Sequence, residues 1–354
     1  MHRRDRWFVP RPGSLNRLEL ISDELPPLEP GEARVRVHRV GLNFADIFAC
    51  LGLYSATPKE PFTPGLEFAG EVEECRPLAG RPRFKSGARV MGVTRFGGYA
   101  SRINADCRAL YPLPRTWSFS EGAAHPVQSL TAWYGIYDLG AMSQGMSVLV
   151  QSAAGGVGLR ALEILKREKA RIVAVAGREE KANFLMERTG LARDRIVIRP
   201  RGFFASREYG RLLDRALEAI DSPEGFDLSL ESVAGPYFLP AYKRLAPQGR
   251  LVIFGAASFS TRGNRPNYPA LAWKFFTRPR PDLLDMISRN RSVMGFNLIW
   301  LWERLAELRE TFQKMEKARL SAPFIDREFE FTEAKDALRY LYSGKSRGKV
   351  LLRL

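Results

Sequence analysis

In residues 146–165, MSVLVQSAAGGVGLRALEIL, an apolar segment leads into a glycine-rich loop and then into a helical pattern. Residues 146–151 are apolar enough to predict a buried strand, and residues 159–168 carry apolar side chains at helical spacing. The strand, the loop and the helix follow one another in the order that is typical of a doubly wound sheet.

Strands and helices continue to alternate after this stretch. Further strands are predicted at residues 171–176, 195–198, 226–230 and 251–254, and helices at residues 180–188 and 212–220. This alternation predicts an α/β domain with a parallel sheet that is covered on both faces. The first third instead predicts strands punctuated by glycine and proline turns, at residues 33–40, 68–73 and 88–93.

The last hundred residues are less regular. Residues 258–281 are rich in proline, arginine and aromatic side chains, with little periodicity, which predicts a long basic loop or insertion. After it we expect a short helix at 282–288, a strand at 292–296, an amphipathic helix at 298–317 and a return to strand from residue 324.

The glycine loop has the composition of a dinucleotide-binding turn. It is made of small residues that let a pyrophosphate approach the main-chain amides at the positive end of the following helix. Its members are Ala153, Ala154, Gly155, Gly156, Val157 and Gly158. A purely structural turn is the alternative interpretation.

The end of the next predicted strand indicates which dinucleotide is bound. Gly177 follows Gly155 by 177 − 155 = 22 residues, close to the offset of about 20 at which an acidic side chain holds a ribose 2′-hydroxyl. Arg178 and Lys181 stand there instead and would attract a 2′-phosphate, which favours NADPH over NADH. Glu179 and Glu180 oppose this, and both cations would be solvated if the stretch only begins a helix.

Composition limits the class of protein. The chain has 354 residues, which predicts roughly two domains, and 45% of them are hydrophobic. Lys+Arg 55 minus Asp+Glu 39 gives a net charge of +16, which favours anionic partners unless it only serves solubility. No apolar segment approaches the ~18 residues of a membrane span, and no apolar block follows the basic N-terminus as in a secretory signal. Cys50, Cys75 and Cys107 are too few and too scattered for a disulfide framework, so we expect a cytoplasmic location.

Several segments together resemble the zinc-independent quinone oxidoreductases, the zeta-crystallin type, of the medium-chain dehydrogenase/reductase superfamily. Besides the glycine loop they are GLNFAD at 41–46, GLY at 52–54, PGLEFAG at 64–70, GGYA at 97–100 and LTAW at 130–133. These pieces occur in the family's order over most of the chain. Residues 287–301, ISRNRSVMGFNLIWL, and the basic insertion before them are most similar to the vesicle amine transport protein branch.

The resemblance implies a domain plan. A GroES-like β domain would comprise residues 1–125 and be completed by residues 319–354. A Rossmann domain would occupy residues 126–318, with the basic aromatic insertion at about 258–281. Since relatives pair the last strand of this domain across a two-fold axis, the segment 293–296 implies a homodimer.

The resemblance also implies roles for individual residues. Asn43, Tyr54 and Thr131 would line the nicotinamide pocket. Phe254, Gly255 and Ala256 would lie under the cofactor. Arg199 stands where relatives often carry an aromatic residue that meets the adenosine.

Catalytic zinc does not fit the residue types present. In alcohol-dehydrogenase relatives the positions of Asn43 and Leu66 look like cysteine and histidine ligands, but an amide is a poor zinc ligand and leucine has no donor atom. The three histidines, His2, His38 and His125, have no ligand spacing with one another.

Reduction of a conjugated carbonyl demands less of the protein than alcohol oxidation. NADPH supplies the hydride, and the developing charge on a quinone or α,β-unsaturated ketone needs only nearby hydrogen-bond donors. By resemblance the donors are the Tyr54 hydroxyl and the Asn43 amide, with water as the proton source. These two residues are the catalytic candidates, and a quinone or enone is the expected small-molecule partner.

The segment 273–280, WKFFTRPR, supports a second hypothesis. Aromatic rings interleaved with cations suit the surface of an anionic membrane, and also single-stranded nucleic acid, which is the less favoured partner. If the rings are instead buried against the body of the protein, the segment is only structural. The alternative function is therefore an NADPH-binding protein with little catalytic activity that associates peripherally with a membrane or with another partner.

Overall fold

The computed structural model describes residues 2–261 and 263–354. The strands are β1 (Arg3–Phe8), β2 (Glu19–Glu24), β3 (Glu32–Gly41), β4 (Glu67–Cys75), β5 (Arg89–Val93), β6 (Arg102–Asp106), β7 (Leu110–Pro112), β8 (Ser147–Val150), β9 (Arg171–Ala176), β10 (Ile196–Ile198), β11 (Phe226–Glu231), β12 (Leu245–Ile253), β13 (Ser292–Gly295), β14 (Ile325–Glu330) and β15 (Lys349–Arg353).

The α-helices are α1 (Phe44–Cys50), α2 (Phe119–Ala123), α3 (Pro126–Trp133), α4 (Gly156–Arg167), α5 (Glu179–Thr189), α6 (Ala205–Ala219), α7 (Phe238–Tyr242), α8 (Tyr268–Phe276), α9 (Leu283–Arg289), α10 (Leu305–Lys317) and α11 (Ala334–Tyr342). A π-helical segment, Tyr134–Leu139, continues α3. Short 3-10 helices lie at Leu15–Arg17, Cys107–Ala109, Arg193–Arg195, Gly235–Tyr237, Ala257–Phe259, Leu298–Arg304 and Phe331–Glu333.

The chain divides into two compact units, and the second comprises residues 131–261 and 267–297. Its described residues form a six-stranded sheet in the order β10-β9-β8-β11-β12-β13, and every neighbouring pair is parallel. All four residues of β8 are buried, as expected for a strand covered on both faces. Tyr209 and Leu213 of α6 pack with Val173 and Val175 of β9 in one apolar cluster. The predicted doubly wound parallel sheet is confirmed.

The first unit comprises residues 1–130, 262–266 and 298–354. Its main sheet has the order β14-β15-β3-β4-β5-β7, with β6 also paired to β3, and β1 forms a separate antiparallel pair with β2. The carboxyl-terminal strand β15 lies antiparallel to β3, with Leu352 opposite Val40. Both ends of the chain therefore build this unit, because the last strand completes a sheet begun by the first hundred residues.

The segment 258–281 is not one long loop, and that prediction was wrong for residues 268–276. Helix α8 begins where the Asn267 side chain accepts a hydrogen bond from the Ala270 amide at 3.1 Å, with a proline in the first turn. Proline is tolerated there because the first amides of a helix have no intrahelical partner. The aromatic side chains are not buried against the body either, since Trp273 is 71% and Phe276 75% exposed.

The predicted helix at 298–317 is divided in two. Residues Leu298–Arg304 form a 3-10 helix, and α10 follows. Helix α10 packs in the first unit, where the Phe312 ring stacks on Tyr111 at 3.6 Å and Arg309 Nη1 donates to the Leu110 carbonyl at 3.2 Å. The second unit therefore ends at Asn297, before the boundary at residue 318 that the resemblance implies.

Candidate functional site

The glycine loop joins β8 to α4 in the second unit. The Ala153 amide donates to the Val175 carbonyl of β9 at 2.9 Å, which fixes the loop to the sheet. Gly155 is the N-cap residue of α4. A Cβ atom added at Gly158 would lie 2.6 Å from both the Cα and the carbonyl oxygen of Ala153. Only glycine lets the helix start this close to the strand, and the amides of its first turn are available to an anion.

Two arginines approach Gly177 at the end of β9. A Cβ atom at Gly177 would lie 3.2 Å from Arg199 Nη2, and Arg201 Nη2 donates to the Gly177 carbonyl at 3.4 Å. Arg199 Nη1 also reaches Ser152 Oγ of the glycine loop at 3.4 Å. The fold thus brings Arg199 to the loop and to Gly177. Arg201 was missed by the sequence analysis because only the crossover to β10 places it beside a residue 24 positions earlier.

Arg178 and Lys181 stand at the start of α5, where Arg178 is the N-cap residue. Both side chains are partly buried. The acidic neighbour Glu179 contacts Arg193 at 3.3 Å, in a pair whose members are about half exposed. Glu179 is one of the two acidic residues that would repel a bound phosphate, and its carboxylate is paired with Arg193.

A buried carboxylate organises the end of β11 beside this region. Glu231 Oε1 accepts hydrogen bonds from the amides of Val233 at 2.6 Å and Ala234 at 2.9 Å. Gln151 Nε2 donates to the other oxygen at 3.2 Å. Burial raises the pKa of Glu231 above its usual value. These bonds hold Ala234 at a positive φ of 56°. The alternation of strands and helices in the sequence does not predict this turn.

The segment after β12 runs beside the same turn. The Phe254 amide donates to the Glu231 carbonyl at 3.0 Å, and a Cβ atom at Gly255 would lie 2.8 Å from the Ser232 carbonyl oxygen. Phe254, Gly255 and Ala256 are all partly exposed. They follow β12 as Ser232 follows β11, so both lie at the carboxyl edge of the parallel sheet, where ligands of such folds bind.

The first unit contains a buried polar cluster around Asn43. Lys349 Nζ donates to Asn43 Oδ1 at 2.8 Å and forms an ion pair with Glu67. Asn43 Nδ2 donates to Glu67 Oε1 at 3.1 Å and to the Gly41 carbonyl at 3.3 Å. The Glu67 side chain is fully buried and that of Lys349 is 5% exposed. Both amide hydrogens of Asn43 are therefore directed at acceptors of the chain itself. Lys349 was not singled out from the sequence, where it is 282 residues from Glu67.

A second buried acid, Asp46, lies one helical turn from Asn43. Its Oδ2 accepts hydrogen bonds from the Asn43 amide at 2.8 Å and the Tyr99 hydroxyl at 3.1 Å. Burial is the largest influence on this carboxyl, and it raises the pKa of Asp46 from 3.8 to about 7. The same burial, with Asp46 nearby, raises the pKa of Tyr99 well above its usual value.

This shift predicts a pH dependence of the stability of the first unit. Between pH 4 and 7 the folded protein holds a proton on Asp46 that the unfolded chain has lost, so stability falls as pH rises through this range. Between pH 5 and pH 8 we expect the wild type to lose about 2–3 kcal/mol more unfolding free energy than Asp46→Asn, which cannot titrate. Urea denaturation at both pH values measures this difference. Identical pH profiles for the two proteins would show that Asp46 titrates normally.

Tyr54 and Thr131, the other two residues predicted at the nicotinamide pocket, belong to different units. Tyr54 is partly buried and packs against the main core of the first unit and against a small apolar cluster of Ala56, Leu66 and Ile299. Thr131 is buried on α3 and begins the second unit. Leu66 is itself a member of this small apolar cluster, so apolar side chains surround the position.

The donor set does not fit a catalytic zinc site. Within residues 2–261 and 263–354, no three His, Cys, Asp or Glu side chains are grouped to hold a metal ion. His125 is buried and packs edge-on against Trp117 and Phe312.

Helices of the described segments are all too short or too polar to cross a bilayer.

A glycine-rich loop between a buried strand and a helix, at the carboxyl edge of a parallel sheet, is the arrangement of the doubly wound α/β proteins, many of which bind nucleotides at this edge. The family model described as alcohol dehydrogenase GroES-like domain matches residues 29–148, and that described as zinc-binding dehydrogenase matches residues 208–352.

Curated relatives match over nearly the whole chain. Quinone oxidoreductase-like protein 2 of Bos taurus is 32% identical over 96% of this chain and 90% of its own length. The synaptic vesicle membrane protein VAT-1 homolog of Rattus norvegicus is 30% identical over 96% of this chain and 81% of its own length. The quinone oxidoreductase of Thermus thermophilus, solved alone and with NADPH, is 31% identical with a TM-score of 0.75, over 99% of this chain and 100% of that one.

The chain belongs to the medium-chain dehydrogenase/reductase family, a family of oxidoreductases. Its first unit, whose sheet is antiparallel except for the parallel pair β14–β15, is the GroES-like domain, and its second unit is the Rossmann domain. The resemblance seen in the sequence is confirmed, including the similarity to the vesicle amine transport protein (VAT-1) branch.

Proposed function

We propose that this protein is a metal-free, NADPH-dependent reductase that transfers a hydride to a quinone or an α,β-unsaturated carbonyl compound. The observation that carries the proposal is the convergence of the glycine loop, Gly177 and several cations at one edge of the parallel sheet. The names of the bovine and Thermus relatives support the acceptor class. When bound, NADPH supplies the hydride, and the protein's work is to bind, orient and stabilise charge.

In this proposal the chain holds NADPH through two groups of residues. Amides of the loop at Ala153, Ala154, Gly155, Gly156, Val157 and Gly158 bind the pyrophosphate. Arg178, Lys181 and Arg199, joined by Arg201, bind the 2′-phosphate, and Gly177 leaves room for it. Phe254, Gly255 and Ala256 continue the binding edge, and Thr131 contacts the nicotinamide end.

The cations give a selectivity prediction. Removing two of them in Arg178→Ala/Arg199→Ala should weaken NADPH binding at least 100-fold, because each charge-assisted hydrogen bond contributes about 1.5–3 kcal/mol. NADH lacks the 2′-phosphate, so its affinity should change less than threefold. Calorimetric titration with both nucleotides measures the effect. Arg167→Ala is the matched control, because that arginine is 41% exposed, stands at the far end of α4 from the loop and pairs with Glu163. Equal losses for both nucleotides would contradict a 2′-phosphate site.

The catalytic hydrogen-bond donor is assigned to Tyr54 and not to Asn43. Both amide hydrogens of Asn43 point to acceptors within the chain, Glu67 and Gly41. Asn43 then acts as a positioning residue that holds the polar cluster in place. The Tyr54 hydroxyl stabilises the enolate or hydroquinone oxygen as charge develops, and water delivers the proton.

The Tyr54→Phe variant tests the assignment. Its turnover with an enone or quinone acceptor should fall at least tenfold while NADPH affinity is unchanged, because only the developing negative charge loses a donor. Steady-state kinetics over a panel of quinones and enones compares the turnover of the variant with that of the wild type. The wild-type measurement also tests the proposed reaction. Tyr340→Phe, which removes a hydroxyl bonded to Asp326, is the control. Unchanged turnover in Tyr54→Phe excludes the donor role, and NADPH binding without turnover on any acceptor excludes the reductase.

A second candidate function is association with an anionic membrane surface, with little catalysis. It is favoured by the exposure of Phe203, Phe204, Trp273, Phe276 and Ile287, and by Arg278, whose guanidinium lies over the half-exposed Phe275 ring. Co-sedimentation with liposomes tests it. Binding should require anionic lipid, weaken with salt and be lost in Trp273→Ala/Phe276→Ala. This function would be excluded if as much protein sedimented with neutral liposomes as with anionic ones. It would also be excluded if no protein sedimented with either. In either case we propose a cytoplasmic location.

We also propose a homodimer. Strand β13 ends the order of the parallel sheet, and Leu283, Leu284 and Ile287 of the adjoining α9 are more than 70% exposed. An edge strand beside exposed apolar side chains is an aggregation hazard unless a partner covers it. Light scattering coupled to size-exclusion chromatography should give twice the chain mass, and Leu284→Asp should give the single chain.

A further inference from the structure

Two of the three cysteines, far apart in the sequence, are neighbours in the first unit. The Sγ atoms of Cys75 and Cys107 lie 3.7 Å apart, and 32 positions separate the residues along the chain. Cys75 ends β4, and Cys107 follows β6 directly. Both residues are free thiols. The cysteines that were too scattered for a disulfide framework thus include one close pair.

The backbone around the pair is fixed by β3, which lies between the two strands. Ala33 of β3 faces Cys75 on one side and Ala105 on the other. The Cys107 amide then donates to the Gly31 carbonyl at 3.0 Å, which turns the chain back over the end of β3. The two sulfur atoms are therefore brought together by the sheet itself and not by a flexible loop.

We propose that Cys75 and Cys107 form a reversible intramolecular disulfide, a two-electron redox site separate from the nucleotide site. The oxidant is a low-molecular-weight disulfide such as oxidised glutathione. The sulfur of Cys75 attacks one sulfur of this disulfide, which forms a mixed disulfide and releases the first small thiol. The sulfur of Cys107 then attacks Cys75 Sγ, which closes the protein disulfide and releases the second thiol. Two protein thiols are oxidised, one small disulfide is reduced, and both protons pass to the released thiols.

The surroundings of the sulfurs set the order of attack. Cys75 is partly exposed, whereas Cys107 is buried. Burial and the neighbouring sulfur raise the pKa of Cys107 to about 12, so at neutral pH it attacks only through a small thiolate fraction, which its 3.7 Å distance from the Cys75 sulfur offsets. The accessible Cys75 therefore reacts first and Cys107 resolves the intermediate. Cys50 is fully buried in the apolar core of the same unit and should not react.

The cross-link should also stabilise the first unit. It closes a loop of about 32 residues that contains β5 and β6, which restricts the unfolded chain more than the folded one. By the usual scaling we expect the melting temperature to rise by about 5 °C on oxidation and to return after reduction.

The test uses the purified full chain, oxidised glutathione and no nucleotide, so its outcome is independent of the proposed reductase activity. Peptide mapping without reduction should find one peptide pair joined through Cys75 and Cys107, which dithiothreitol separates. Cys50→Ser should keep this cross-link. Cys107→Ser should stop at a glutathione adduct on Cys75, and Cys75→Ser should give neither product.

Three outcomes would overturn the proposal. The first is a stable glutathione adduct on Cys75 of the wild type with no cross-link. The second is a disulfide between chains, and the third is modification of Cys50 in preference to the pair. The mapping of the wild-type protein decides these cases even if a serine variant fails to fold.

Discussion

Replacing Lys349 with methionine should lower the unfolding free energy of the first unit by about 3–5 kcal/mol, because the change leaves the buried Glu67 carboxylate without its cation. Asn43 would also lose the hydrogen bond to its side-chain oxygen. Denaturation with urea, followed by intrinsic fluorescence, measures the loss. The same variant should turn over more slowly than the wild type in the proposed reaction, because Asn43 and its neighbours lose their fixed positions.

Two controls separate the buried charge from loss of packing. In Lys349→Met/Glu67→Gln both charges are gone, so the double variant should recover part of the stability that the single variant lost. Arg353→Met removes a cation on the same strand from a pair with Glu330 in which both side chains are 53% exposed, and should cost less than about 1 kcal/mol. A loss below about 1 kcal/mol in Lys349→Met would contradict the role given to the pair.

Adding a methyl group at Gly158 should have the second large effect. The new Cβ atom would lie 2.6 Å from backbone atoms of Ala153 and Ser152, which cannot move aside as a flexible side chain could. Helix α4 must therefore shift away from β8. We expect Gly158→Ala to destabilise the second unit by about 1–3 kcal/mol and to weaken NADPH binding at least 100-fold.

The matched control is Gly155→Ala, three residues earlier in the same loop. There the nearest atom to the new methyl group is the Ser152 carbonyl oxygen at 3.3 Å, so the fold should be retained with a loss below about 1 kcal/mol. Thermal unfolding without nucleotide compares the two variants independently of binding. If Gly158→Ala melts at the wild-type temperature, the close packing of helix on strand does not constrain this position.

The regular elements were predictable because their patterns are local. Residues 33–40 alternate along β3, and the apolar run after Met146 becomes β8. Helix α8 was missed for the opposite reason. Its helix carries aromatic residues that stay exposed, so no apolar face produced a helical period, and its proline suggested a loop although it lies in the permitted first turn.

The candidate site was predictable to the extent that its chemistry lies in one stretch. The glycine loop and the absence of an acid beside Gly177 could be read directly from the sequence. Arg201, Glu231 and Lys349 could not, because each acts on a residue that the chain reaches only after long crossovers. Long-range contacts of this kind leave no periodic trace in the sequence.

From the sequence alone one could infer a parallel α/β unit with a glycine-rich loop, a β-rich unit beside it in the chain, and residue types that do not fit a catalytic zinc site. The assembled fold was needed to show that the Asn43 amide is directed inward, that burial raises the pKa of Asp46 and that Cys75 meets Cys107. Local patterns of apolar and small residues fix strands and helices, since backbone geometry repeats every few residues. Burial and the pairing of distant side chains depend instead on which strands become neighbours, and that is settled when the sheets assemble.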